Sequence, residues 1–151
     1  MKMIFLSLLI SLEALAVELT FVGPCSEEFI MKTKVTDEYI HVGDLTIATL
    51  KKFQIPFQGS PEGIASVLGY GNYMENISTN EFRAYGWCYM VDGIIPEVFP
   101  HEAYLTSETK SITWIYGHSH FKNGEWPTQC SEAFKIKPKE LCEKVDHPNQ
   151  L

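Results

Sequence analysis

Positive charge is scarce in this sequence: 12 lysines and arginines stand against 19 aspartates and glutamates, a formal net charge of −7. No basic run or stripe compensates. That deficit excludes ordinary nucleic-acid binding, which Lys and Arg contacts to phosphate drive, and it argues against docking on an anionic membrane surface. Long apolar runs are also missing. The stretch from Met3 to Leu12 falls short of the ~20 residues a spanning helix needs. There is no Cys-x-x-Cys knuckle, no Gly-x-Ser-x-Gly elbow, no fixed-period repeat and no low-complexity segment. Metal knuckles and elbow-type serine hydrolases therefore have no footing. Gly69-Tyr70-Gly71 lacks the strand-to-helix context of a phosphate loop. With no catalytic constellation in view, the expectation is a non-enzymatic protein without a cofactor.

What is present begins at the N-terminus. Lys2, the apolar Met3 to Leu12 and then Ala14-Leu15-Ala16 follow the order of a cleavable signal peptide. Residues 1–16 are expected to be removed, leaving a mature chain from Val17 that is secreted or periplasmic and has no transmembrane segment. Lys2 and Glu13 cancel, so the mature chain keeps its acidity. Residues 17–151, about 135 in number, suffice for one domain with a real core. Four cysteines, Cys25, Cys88, Cys130 and Cys142, are even in number, and an oxidising compartment favours pairing them. Asn76-Ile77-Ser78 fits the glycosylation acceptor pattern of a eukaryotic secretory pathway.

Along the mature chain, Val17 to Val22 alternates Val17, Leu19 and Phe21 against Glu18, Thr20 and Val22, the period of a half-buried strand. Phe29 to Val35 reads as a second strand. Asp44 is placed to cap a helix from Leu45 to Phe53, with Ile47, Leu50 and Phe53 towards the core. Ser60-Pro61 suggests a second short helix ending at Gly69. Tyr85 to Val91, Asp92-Gly93 and Ile94-Ile95 read as a strand, a two-residue turn and a returning strand, shortened by Pro96 and Pro100. Ser111 to Tyr116 is the last clear strand, and from about residue 118 the chain reads as an irregular tail anchored by Trp126, Cys130 and Cys142. This order predicts an α+β fold, a β-grasp-like mixed sheet crossed by one main helix and stabilised by disulfides. In that arrangement the first and last strands lie parallel at the centre, and Cys25 and Cys130 both follow their C-terminal ends. Of the three possible connectivities, the expectation is Cys25–Cys130 with Cys88–Cys142.

Tyr85-Gly86-Trp87-Cys88-Tyr89-Met90-Val91-Asp92-Gly93 resembles the aromatic hairpin of the transcobalamin-like C-terminal domain family. Ser111 to Tyr116 resembles that family's closing strand, and Val42 to Ile47 its helix-opening segment. The likeness spans roughly residues 40–117. It departs at Glu108-Thr109-Lys110, where the family carries Gly-Asp. The resemblance implies a small β-grasp-like module of exported or surface proteins, a binding or interaction module rather than an enzyme. A corrinoid enters only through this resemblance, because the vertebrate carriers enclose cobalamin with a large helical domain that these residues do not supply.

Two sets of side chains are candidates for a site. Tyr85, Trp87, Tyr89 and Tyr116 could form a stacking surface for a small molecule or a protein partner. Alternating strand residues that face a helix are core by default, so the same side chains could instead be interior. His118 and His120, two apart on an extended chain, project from one face and suit a metal. They would need His101, Glu102 or His147 nearby to complete a site; otherwise they are polar residues of a loop. A structural or accessory envelope component is the alternative reading for the whole chain.

Overall fold

The computed structural model describes residues 16–143, so residues 1–15 of the expected signal peptide and His147 lie outside the described residues. The elements run β1 (Val17–Val22), β2 (Phe29–Val35), α1 (Val42–Lys52), β3 (Phe57–Ser60), β4 (Gly63–Val67), β5 (Tyr70–Gly71), β6 (Tyr73–Ser78), β7 (Glu81–Val91), β8 (Ser111–Lys122), β9 (Glu125–Glu132), a 3₁₀ turn (Ala133–Lys135) and α2 (Lys139–Cys142). The main sheet has the order β2-β1-β8-β7-β6, with β9 added to β8; β3, β4 and β5 form a separate ribbon. β1 and β8 are parallel, with Glu18 to Val22 opposite Ser111 to Ile115. All other pairs are antiparallel. This is the α+β mixed sheet with one main helix that the element order predicts.

One face of the sheet carries the core. Leu19, Phe21, Ile112, Trp114 and Tyr89 share it with Val42, Leu45 and Leu50 of α1. The indole of Trp114 donates to Thr46 Oγ1 at 3.0 Å, so the largest buried side chain has its one polar atom satisfied on the helix. α1 starts at Val42, three residues before the expected Leu45. Its first free amides are taken by the connection that crosses its N-terminus: Val42 N–H donates to Ala103 O and Gly43 N–H to Pro100 O. Asp44 therefore sits in the first turn rather than capping it, 3.3 Å from His41 Nδ1.

Several expectations are corrected. The second helix is absent: residues 57–67 form the β3–β4 hairpin, with Pro61-Glu62 as the two-residue turn between Ser60 and Gly63. Proline fixes the same φ in a turn as in a first helical turn, which is why the signal misleads. Asp92-Gly93 does turn the chain with both residues at positive φ, 49° and 80°, the type I′ pattern. However, Ile94 makes only one bridge, to Val91, and Pro96 ends any return strand. The antiparallel partner of β7 is β8, in register from Glu81–Lys122 to Val91–Ile112. Nor is the chain beyond 118 an irregular tail. β8 continues to Lys122, Asn123-Gly124 turns it at positive φ (51° and 90°), and β9 returns along it.

The disulfides are Cys25–Cys142 and Cys88–Cys130, not the expected pairs. β9 is the reason. It folds back along β8, and Cys130 lies within a register shift at φ 49°. Two strands separated by a third in a flat sheet lie nearly 10 Å apart, yet Cys88 and Cys130 have Cα atoms 6.0 Å apart. The irregularity therefore lifts Cys130 over β8. Gly117 makes room beneath: a Cβ there would meet Cys88 Sγ at 3.2 Å and Ser131 O at 3.3 Å. Cys25 is left for Cys142, which α2 carries.

Candidate functional site

Tyr85, Trp87, Tyr89 and Tyr116 share one face of β7 and β8, as their alternation requires. They do not form an exposed stack. Tyr116 is 0%, Tyr85 4% and Tyr89 7% exposed, and only Trp87 is half-buried. Phe21 meets Trp87 edge-on at 5.6 Å and Trp114 face-on at 6.2 Å; Trp87 meets Tyr116 edge-on at 5.4 Å. These rings are largely interior for two reasons: Trp87 and Tyr89 pack in the core shared with α1 and the β3–β4 hairpin, while Tyr85 and Tyr116 cluster with Tyr70, Tyr73, Ala133 of the 3₁₀ turn and Leu141 of α2. Their polar atoms are anchored to the covering chain. Trp87 Nε1 donates to Tyr70 O at 2.8 Å, Tyr89 Oη to Val98 O at 2.7 Å, and Tyr116 Oη to Gly71 O. Burial pushes the Tyr116 phenol up to about 12.

The sheet is incomplete beside these rings. β6 pairs with β7 only from Glu81 to Tyr85, so among the described residues the outer edge of β7 from Gly86 to Met90 has no hydrogen-bonded strand partner. A cleft of about 430 Å³ opens there. Glu62 to Ala65 of the β3–β4 hairpin form one wall, and the segment from Ile95 to Pro100, except Glu97, forms another; Trp87, Tyr89 and Trp114 close it. Cys88 and Cys130, from the opposite face, border it too. Side chains from both faces of a sheet meet one cleft only at an open edge. The rim is apolar and exposed, with Phe99 65% and Ile94 71% exposed. Of the charged residues, Glu62 lines the cleft; its carboxyl is held below the usual range mainly by the Ser60 hydroxyl.

His118 and His120 share a face but have separate surroundings. His118 is 8% exposed, its Nδ1 has no hydrogen-bond partner, and its ring lies 5.9 Å from that of Tyr85. Burial first, and then the positive charge of Arg83, hold its pKa below the ordinary value. Nearby, Glu75 accepts from Tyr85 Oη at 2.7 Å and from Arg83 at 3.2 Å, which lowers its own pKa, the Tyr85 bond contributing most. His120 pairs with Glu81 at 2.8 Å. His101 lies on the far connection, stacked at 6.0 Å on Phe99, and Glu102 accepts from the Phe99 amide. Among the described residues no three potential metal ligands gather.

One wall of the cleft is hidden in the sequence because it belongs to the β3–β4 hairpin, whose Ser60-Pro61 also fits a helix start. Leu68-Gly69, at φ 52° and 85°, is a two-residue turn of the same kind as Asp92-Gly93 and sets the ribbon.

No family model matches the chain, and no curated protein matches it. Among solved structures, a proposed metal binding protein from Ruminococcus gnavus ATCC 29149 overlaps 68% of this chain and 97% of its own at 11% identity, with a TM-score of 0.42. Two disulfides suit an oxidising extracellular or periplasmic environment. Among the described residues no helix is long and apolar enough to cross a membrane.

Proposed function

We propose that the chain is an exported, non-enzymatic binding module, released by cleavage near Ala16-Val17, that takes its ligand in the cleft beside β7 rather than on an exposed aromatic stack. The observation that carries this reading is the open, apolar, aromatic-walled space of about 430 Å³, within the range of ligand sites. Anchoring of the Trp87 and Tyr89 polar atoms to main-chain carbonyls pre-forms the wall, so less ordering is required on binding. The resemblance of residues 40–117 to the transcobalamin-like C-terminal domain supports a binding role, and a corrinoid belongs in the test for that reason alone.

Melting temperature and tryptophan fluorescence followed across a panel of small apolar molecules, corrinoids and peptides test the proposal. A binder should raise the melting temperature, and Trp87→Ala should abolish the rise. A panel that moves neither signal would favour an accessory structural component. Amino-terminal sequencing of the exported protein should begin at or near Val17; retention of residues 1–16 would refute the processing.

A further inference from the structure

The turn at Asp92-Gly93 fixes which way the backbone of β7 points. Val91 N–H donates to Ile94 O at 2.9 Å, and Ile94 N–H donates to Val91 O at 3.0 Å. Both polar groups of Val91 therefore face away from β8. Asp92 N–H donates to Ser111 O at 3.0 Å, on the opposite side. In an antiparallel ladder the two polar groups of one residue share an edge and alternate from residue to residue. The register between β7 and β8 is unbroken from Glu81 to Val91, so Tyr89 and Trp87 point the same way as Val91. Cys88 and Met90 point into the ladder with β8. β6 serves Tyr85, through Tyr73, and stops there. Among the described residues, the outward N–H and C=O groups of Trp87 and Tyr89 have no backbone partner, and they lie on the cleft.

We infer that the cleft receives an extended peptide segment, which adds as a strand to the open edge of β7 and bonds to the main chain of Trp87 and Tyr89. This rests on the cleft being the binding site and names its class of ligand. Unpaired backbone donors and acceptors in a row are matched by another extended backbone, whereas a compact apolar molecule leaves them unmatched. The free edge from Gly86 to Met90 accommodates about five residues, roughly 17 Å of strand. Alternate side chains of the added strand face Ile64, Trp114 and Phe99 and are apolar. Glu62 lines the site, Glu102 accepts from the amide of the wall residue Phe99, and no Lys or Arg lines it. The complementary peptide therefore carries lysine or arginine at its ends, in keeping with a chain of net charge −7.

The test uses amide exchange and a peptide display library on the oxidised protein. In the free protein the amides of Trp87 and Tyr89 should exchange much faster than those of Cys88 and Met90. Selected binders should be alternating apolar sequences with basic ends and should slow exchange at Trp87 and Tyr89 by about tenfold or more. N-methylation of the peptide amides that face β7 should weaken binding by about tenfold, while methylation of the alternate amides should not. Equal protection of all four amides in the free protein would overturn the inference, as would selection of no edge-binding peptide or indifference to N-methylation. If bis-ANS reports on Trp87 while peptides fail, the cleft binds apolar ligands but strand addition is refuted.

Discussion

Gly43 shows how much depends on one missing methyl group. A Cβ at that position would lie 2.1 Å from Pro61 O and 2.8 Å from Pro61 C, main-chain atoms of the β3–β4 turn. α1 thus packs by its backbone onto the hairpin that walls the cleft. Gly43→Ala should cost about 1–3 kcal/mol, the range for overpacking, and should displace Glu62 and Gly63; urea denaturation and ligand affinity measure the two effects. His118 contributes in a different way. Because its folded pKa is lowered from 6.5, the unfolded chain takes up the proton first. Stability is complete above about pH 6.5 and falls as pH drops from there towards the folded pKa. In His118→Gln that slope should flatten. The lowered carboxyls of Glu75 and Glu132 act separately, in a window below about pH 4.5.

Among the elements, the connection from Ile95 to Pro100 is held to the sheet and to α1 by few bonds. The Tyr89 hydroxyl on Val98 O is one, and Gly43 N–H on Pro100 O is another. Tyr89→Phe should lose about 0.5–1.5 kcal/mol and make this segment more readily cut by protease, with the ring packing on Trp114 unchanged. β1, β2, α1 and the aromatic part of β7 were legible in the sequence because each has a period or a punctuation of its own. The ribbon and β9 were not. Pro61 fits a helix start and a turn equally, and Leu68-Gly69 is an unusual pair for a type I′ turn. Asn123-Gly124, between Lys122 and Glu125, was a readable hairpin signal that the polar composition of the segment concealed. The cleft lay beyond reach, since an open strand edge is defined by where a neighbour stops, which no local pattern encodes.

At the scale of the whole molecule, the two disulfides enclose very different lengths, with sequence separations of 42 and 117 residues. By loop entropy they are worth about 4 and about 5 kcal/mol respectively, against a total stability of about 5–15 kcal/mol for an ordinary domain. Removing Cys25–Cys142 as a serine pair should therefore lower stability more than removing Cys88–Cys130, and peptide mapping of the oxidised protein should recover these two pairs. The outer bridge has a mechanical consequence as well. Tension applied from outside it passes from Cys25 directly to Cys142 through the sulfur atoms, so the residues between them carry none. β1, just before Cys25, lies in the path of the pull, while β8 beside it does not. Stretching would load the bonds of β1 to β2 and β8 first, and because Phe21 of β1 packs on Trp87 and Trp114, the cleft beside β7 would loosen as β1 leaves the sheet.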